Sequence, residues 1–251
     1  MLFRNILLAP LLTLTLGAVA VSVHAEQPVI EVVTSEYPPY EYLRDGEVVG
    51  DDTRIIRRVL AEMGYQANIR ILPWARAEQL ARNGRADMLY SLTFSETRDR
   101  HYYFTAPINA AQDVFYKRRN HDLQWQTLDD LAGLNFGLSA AYSYAPEFMD
   151  WLFDGNARMT KITHEKPELT GLRLVGLGRI DLFICELSVC DYLLEQNVSQ
   201  HQELANVERM AGDVGPERSF RAAFSRKLPN GRELRDEFNA ALKKIRASAS
   251  N

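Results

Sequence analysis

The sequence is poor in the residues from which catalytic and metal centres are usually built. Its 251 residues include two cysteines and five histidines. The histidines are dispersed, at positions 24, 101, 121, 164 and 201, and neither a Ser-His-Asp arrangement nor a set of metal ligands is visible. We therefore expect no catalytic residue, no metal ion and no cofactor.

Positive charge is not in excess over negative charge. The chain has 29 basic and 33 acidic residues and a net charge of −4. The basic residues are scattered, and aromatic residues do not alternate with them in a stripe. These properties argue against a nucleic-acid partner. The hydrophobic content of 46% is that of an ordinary folded globule.

Only the N-terminal part of the chain contains a long apolar run. Residues 6–23 are almost wholly apolar, follow Arg4, and lead into Val23-His24-Ala25, where small residues occupy the two positions that signal peptidase recognises. This pattern predicts a secretory signal peptide over residues 1–25, with an uncleaved anchor as the alternative. The cleavage site lacks the cysteine that a lipid anchor would need. No later apolar run could span a membrane.

The two cysteines, Cys185 and Cys190, are five residues apart. Export to an oxidising compartment would permit a disulfide between them. The loop is short and the geometry of a disulfide is demanding, so two reduced, buried cysteines are an equally good interpretation. Both interpretations stay open, and neither implies catalysis.

The hydrophobic pattern predicts strands that alternate with helices. In the first half it predicts strands over 29–33, 67–72 and 86–92, helices around 55–63 and 75–82, and an Asp45-Gly46 hairpin. In the second half it predicts a short helix over 128–131, a strand over 135–138, a longer helix, a buried strand over 182–184 and an amphipathic C-terminal helix. The alternation favours α/β architecture with mostly parallel, doubly wound sheets.

One internal similarity indicates two related lobes. Residues 80–87 and residues 174–181 both predict a helix, a Gly-Arg-x-Asp turn and a buried strand, at an offset of 94 residues. Lobes of this kind bind ligands beyond the carboxyl ends of their strands. The residues after the buried strands, among them Ser91, Thr93 and Glu186, should therefore face a cleft.

Several short motifs follow one another in a specific order. They are Tyr37-Pro38-Pro39-Tyr40, Gly50 with Asp52, Gly84-x-x-Asp87, the segment from Thr93 to Arg98, Phe104 to Pro107, Thr127 to Gly133, and Gly178 to Asp181. Their order and spacing over nearly all of the chain after residue 25 resemble the type II periplasmic solute-binding proteins, in the branch that captures polar amino acids for ABC importers.

The resemblance implies two Rossmann-like lobes joined by two hinge strands. Residues 26–116 with 222–251 would form the first lobe, and residues 120–218 would form the second, inserted lobe. The hinge strands would lie over 113–117 and 220–226. The resemblance also implies a periplasmic monomer that binds an amino acid or similar carboxylate and docks on an inner-membrane permease.

The resemblance assigns roles to residues that line the cleft. Arg98 would hold the ligand carboxylate, because a guanidinium can donate two parallel hydrogen bonds to it. Thr93 and Ser91 would add donors, and Glu186 would accept the ligand ammonium. The alternatives are a surface ion pair for Arg98, strand-end capping for Thr93 and Ser91, and an exposed helix start for Glu186.

Five further residues complete the predicted site. Tyr37 and Trp74 would contact the ligand through their aromatic faces, although aromatic residues in such patterns more often belong to the core. Ser143 would donate to the carboxylate, and Arg76 would bring a second positive charge. Tyr142 departs from the family pattern, as does Ala141, which replaces a glycine, so that a reshaped pocket is expected.

Two other functions remain as alternatives to transport. One is a cleft enzyme of the cyclohexadienyl dehydratase type, which would need a general acid, for which Glu186 is the candidate. The other is a stand-alone periplasmic sensor that reports its ligand to a membrane partner. The cleft of such a sensor would obey the same physical rules as that of a transport protein.

Overall fold

The computed structural model describes residues 27–140 and 142–249. The predicted signal peptide and Ala141 lie outside the described residues. The α-helices are α1 Asp51–Glu62, α2 Trp74–Arg82, α3 Glu96–Asp99, α4 Pro146–Phe153, α5 Pro167–Gly176, α6 Leu187–Asn197 and α7 Gly231–Ala249. Short 3-10 helices span Leu128–Leu131 and Gln202–Asn206. Within the described ranges, no helix has the length and apolar character needed to cross a membrane.

Twelve strands form two five-stranded sheets and a hairpin within the described residues. They are β1 Val29–Thr34, β2 Tyr42–Arg44, β3 Glu47–Val49, β4 Gln66–Ile71, β5 Met88–Leu92, β6 Tyr102–Ala111, β7 Asp113–Arg118, β8 Asn135–Ser139, β9 Arg158–Ile162, β10 Leu182–Glu186, β11 Val207–Arg209 and β12 Arg218–Ser225. The predicted hairpin is β2–β3, where Asp45 and Gly46 both have positive φ angles.

Each lobe is built around one sheet. The first sheet has the strand order β4-β1-β5-β12-β6, and the second has the order β11-β7-β10-β8-β9. The α/β class with two lobes is therefore confirmed. The sheets are less parallel than predicted, because β12 runs antiparallel to β5 and β6, and β7 runs antiparallel to β10 and β11. These are the strands that enter each sheet directly from the other lobe, without a crossover helix to return the chain parallel.

The chain changes sheets within short segments. Gln112 alone separates β6 from β7, and the chain returns between β11 and β12. The side chain of Gln112 donates to the Gly215 carbonyl at 3.3 Å, which joins the two crossings. Strands β7 and β12 each pair within a single sheet and contain most of the two predicted hinge segments. The exact lobe boundaries stay a prediction.

The internal similarity corresponds to the same local structure in both lobes. Gly84 and Gly178 end α2 and α5 with φ angles of 71° and 69°. The carboxylate of Asp87 accepts from the Glu31 backbone N–H at 2.8 Å, and that of Asp181 accepts from the Asn135 N–H at 2.8 Å. The repeated Asp therefore fixes the first contact of each buried strand with its parallel neighbour.

A glycine in α5 makes room for the core of the second lobe. The Phe183 side chain is fully buried, and a Cβ built on Gly171 would lie 2.3 Å from its ring. On an open helix face, Gly→Ala would stabilise by about 1 kcal/mol. Here overpacking should dominate, so Gly171→Ala should lower the free energy of unfolding by about 1–3 kcal/mol in urea titrations.

The same interpretation predicts a rescue of the Gly171→Ala variant. Phe183→Leu replaces the obstructing ring with a smaller side chain. It should lower the free energy of unfolding less in the Gly171→Ala background than in the natural protein, as a double-mutant cycle would measure. Additive effects, or a single variant as stable as the natural protein, would show that the ring does not need this space.

Candidate functional site

A cavity lies between the lobes, beyond the carboxyl ends of β1 and β5. This main cavity, the one that Arg98 lines, adjoins a larger one at Trp74 and Tyr142. The main cavity holds about 430 Å³ of empty space, part of it open to solvent. Its lining consists of Ser35, Tyr37, Glu41, Trp74, Ser91, Leu92, Thr93, Arg98, Tyr142, Ser143, Arg218 and Phe220. Seven of the nine predicted binding residues are in this set, and Arg76 and Glu186 are not. Arg76 lies exposed in the first turn of α2.

Arg98 is held in place from two sides. It is 9% exposed and lies on α3, whose N-cap Ser95 accepts from the Arg98 backbone N–H. Its Nη1 donates to the carbonyl and hydroxyl oxygens of Thr93, and its Nε donates to Glu78 at 3.4 Å. Within the described residues, Nη2 has no protein partner. The arrangement leaves the N–H groups of Nη2 for a ligand.

Trp74 lies beside this arginine. The Arg98 guanidinium carbon is 5.4 Å from the centre of a Trp74 ring, in a cation–π contact. The indole Nε1 is buried and has no hydrogen-bond partner. Because an unpaired buried donor is costly, this N–H is suited to a ligand acceptor that also reaches Arg98.

Four aromatic rings from both lobes meet at one wall of the cavity. Tyr37 stacks on Tyr40 at 6.1 Å between centroids and meets Phe220 edge-on at 5.9 Å. Tyr142, from the second lobe, meets Tyr37 edge-on at 5.8 Å. The departure at position 142 thus fills part of the cleft and supplies a contact between the lobes.

Two buried carboxyl groups share one serine hydroxyl below the cleft. Ser91 Oγ lies 2.7 Å from both Glu41 Oε2 and Asp52 Oδ2. The hydroxyl has one proton to donate, so one carboxyl must keep its proton and donate to Ser91 Oγ to satisfy both contacts. Burial raises the pKa of Asp52 to about 6, and burial together with nearby Asp52 raises the pKa of Glu41 well above its usual value.

Ser91 itself has a strained backbone. Its φ angle is 59°, in the left-handed region that non-glycine residues rarely adopt. The two carboxyl groups that bind its hydroxyl hold it there, at the end of β5. Strain of this kind concentrates at functional sites.

Glu186 lies at the end of β10, beside the main cavity. Its Oε2 accepts from the Val189 N–H at 2.9 Å and caps α6, and its Oε1 accepts from the Tyr40 hydroxyl at 3.2 Å. Both oxygens therefore already have protein partners. The residue lies at a smaller cavity of about 210 Å³ beside the main one, not in the main lining. Its role as the acceptor of a ligand ammonium stays a prediction.

The structure joins Cys185 and Cys190 by a disulfide. Cys185 precedes Glu186, the last residue of β10, and Cys190 lies in the first turn of α6. The bond therefore ties the end of the central strand to the helix that Glu186 caps. No free cysteine remains among the described residues.

Four buried side-chain atoms of the described residues lack a hydrogen-bond partner, and all four residues line the two cavities. The atoms are Trp74 Nε1, Asp113 Oδ2, Glu168 Oε1 and Arg218 Nε. Buried polar groups are normally paired, so their concentration here indicates a binding site. Within the same residues, no group of His, Cys, Asp and Glu side chains is arranged to hold a metal ion.

Sequence reasoning missed Glu41, Asp113, Glu168 and Arg218. Arg218 Nη2 donates to Asp113 Oδ1 at 2.5 Å, and Arg218 Nη1 donates to the Ser143 carbonyl at 2.9 Å. No motif marks these residues. For Asp113 and Arg218, only the change of sheets, which brings β7 and β12 together, places the side chains at the cleft.

Comparison with known proteins agrees with the two-lobed architecture. The sequence profile of the bacterial extracellular solute-binding proteins, family 3, matches residues 30–250. A histidine kinase sensor domain with similarity to periplasmic binding proteins has a TM-score of 0.72 at 22% identity, over 89% of this chain and 92% of that chain. A search of curated protein sequences gives no significant match.

Two similar solved structures contain arginine. An ancestral arginine-binding protein bound to arginine has a TM-score of 0.74 at 18% identity, over 89% of this chain and 94% of that chain. The amino acid ABC transporter substrate-binding protein AbpA from Streptococcus pneumoniae, bound to L-arginine, has a TM-score of 0.71 at 18% identity, over 88% and 90%. At these identities the similarity establishes the fold.

Proposed function

Since the chain belongs to the bacterial extracellular solute-binding proteins, family 3, we propose that it captures an amino acid or a similar small carboxylate between its lobes. In this role it acts in the periplasm and delivers the ligand to the inner-membrane permease of an ABC importer. The observation that carries the proposal is Arg98, whose Nε and Nη1 are fixed by Glu78 and Thr93 while Nη2 has no protein partner in the described chain.

The polar groups of the cleft favour a ligand with a carboxylate. The Arg98 guanidinium and the unpaired Trp74 Nε1 donate from one side of the cavity. Thr93 adds a hydroxyl donor at the end of β5, whereas the Ser91 hydroxyl is engaged by Glu41 and Asp52. A carboxylate bound there gains charge-assisted hydrogen bonds in a site that sheds water on closure. The arginine in two similar solved structures supports an amino acid as the class of ligand.

A sensor is the second candidate function, and one observation favours it. One similar structure is a histidine kinase sensor domain. Uptake distinguishes the two roles: cells that lack this protein should lose high-affinity uptake of its ligand if it serves an importer. Unchanged uptake, with loss of a transcriptional response to the ligand, would favour the sensor.

A thermal-shift screen of the purified protein tests the binding proposal. The ligands are the protein amino acids, several dicarboxylates and prephenate. A ligand at a hundred times its Kd stabilises the folded state by about 2.7 kcal/mol, which should raise Tm by about 5–10 °C. A shift with an amino-acid class supports the proposal. No shift from a cooperatively unfolding protein would contradict it, and conversion of prephenate to product would point to the dehydratase alternative.

A further inference from the structure

The smaller cavity extends the cleft into the second lobe. It shares Tyr37, Tyr142 and Arg218 with the main cavity, so the two spaces are adjacent. Its remaining polar lining includes Glu168, Asp113 and Glu186. Its empty space of about 210 Å³ includes open solvent.

Glu168 is buried in an unusual place. It follows Pro167 in the first turn of α5, where a carboxylate normally points to solvent and interacts with the helix dipole. Here the residue is 5% exposed, and its Oε1 has no hydrogen-bond partner. A buried carboxylate oxygen without a partner is destabilising unless a ligand supplies one.

The charges around this cavity are not balanced. Three carboxyl groups, from Glu168, Asp113 and Glu186, face a single guanidinium, from Arg218. Arg218 is already engaged with Asp113 Oδ1 and the Ser143 carbonyl. Glu186 has both oxygens occupied by protein donors. Glu168 therefore provides the acceptor that remains open to a cation.

We infer that Glu168, not Glu186, binds the cationic group of the ligand, an ammonium or a guanidinium, while Arg98 binds its carboxylate. The inference rests on the proposed function and narrows it to zwitterionic ligands that reach from the main cavity into the smaller one. Asp113 Oδ2, which also lacks a partner, provides a second acceptor in the same space.

Binding of a cation should be linked to loss of a proton. Burial raises the pKa of Glu168 to about 7, and the Tyr142 hydroxyl partly opposes this shift. The other groups that face the cavity are Asp113, Glu186, Arg218 and the phenols of Tyr37 and Tyr144. A cation binds the ionised carboxylate, so affinity should fall about tenfold per pH unit below about pH 7.

Isothermal titration of Glu168→Gln with L-arginine, L-citrulline and L-glutamine tests the assignment. The variant should lose about 10- to 100-fold in affinity, because it removes a buried hydrogen bond to a charged group. An equal loss for all three ligands assigns the α-ammonium to Glu168, and a loss confined to arginine assigns the guanidinium. Glu195→Gln, an exposed substitution on α6, is the control and should bind like the natural protein.

A measurement on the unaltered protein avoids any effect of the substitution on folding. Titration at pH 6.5 in phosphate and in Tris should give different apparent enthalpies, since protons released on binding are taken up by the buffer. Equal enthalpies, or a Glu168→Gln variant with unchanged affinity for all three ligands, would overturn the assignment while leaving the proposed function intact. Failure of the natural protein to bind any protein amino acid or dicarboxylate would overturn both.

Discussion

Replacing Arg98 by alanine should weaken ligand binding by about 100-fold or more. Truncating one partner of a buried, hydrogen-bonded charge pair costs about 2–5 kcal/mol. Arg98 is fixed before the ligand arrives, by Thr93, Glu78 and Trp74, so little ordering of its side chain opposes its bond to a carboxylate. Titration calorimetry with the best ligand of the thermal screen measures the loss.

Two further substitutions separate the role of Arg98 at the site from a general effect of charge. Arg100→Ala removes an exposed arginine two residues away and should leave affinity unchanged. Arg98→Lys keeps the charge but lacks the planar fork, and should recover only part of the lost affinity. If Arg98→Ala remains folded and binds within about threefold of the natural protein, the carboxylate is not held by this residue.

Stability should fall as pH rises from about 4 to about 7. Burial raises the pKa of Asp52 to about 6 and that of Glu168 to about 7, whereas both groups ionise near pH 4 in the unfolded chain. Between those values the folded state binds more protons than the unfolded state, so each added pH unit favours unfolding. The shifts correspond to about 3 kcal/mol for each group, measurable by urea titration at several pH values.

The remaining carboxyl groups do not reverse this trend. Glu203 and Glu208 have lowered pKa values because Arg173 and Lys117 bind them, and their contribution is lost only at lower pH. Asp52→Asn should remove part of the slope between pH 4 and 6. A protein equally stable at pH 5 and pH 8 would show that these carboxyl groups ionise normally in the folded state.

The elements of the fold followed from local pattern. The apolar spacing from Ile55 to Met63 predicted the helix that the structure has at Asp51–Glu62, and Gly64 ends it with a φ angle of 84°. The Asp-Gly hairpin and the two Gly-Arg-x-Asp turns were equally specific, because each fixes a backbone conformation that few other sequences adopt. Pairing partners were harder, because strand order depends on contacts between distant segments.

The site was predictable only where a residue stands in a local motif. Arg98 and Thr93 lie in one such segment, and the structure places both in the lining of the main cavity. Glu168 has the sequence pattern of an ordinary helix start, and Arg218, the first residue of β12, belongs to no motif. Their burial depends on how the second lobe packs against β12, and local sequence does not encode that packing. For Glu186, sequence could not show that the backbone of α6 and the Tyr40 hydroxyl would occupy the carboxylate.

The position of β12 between β5 and β6 determines the order in which the lobes can be completed during synthesis. The strands of the second sheet lie in one continuous segment, residues 113–209, so that lobe can assemble as soon as the segment is available. The first sheet lacks its fourth strand until residues 218–225 emerge, and until then β5 and β6 each have an unpaired edge. Unpaired edges invite association with other chains. A nascent chain stopped near residue 215 should therefore be prone to aggregation, although its second lobe is complete.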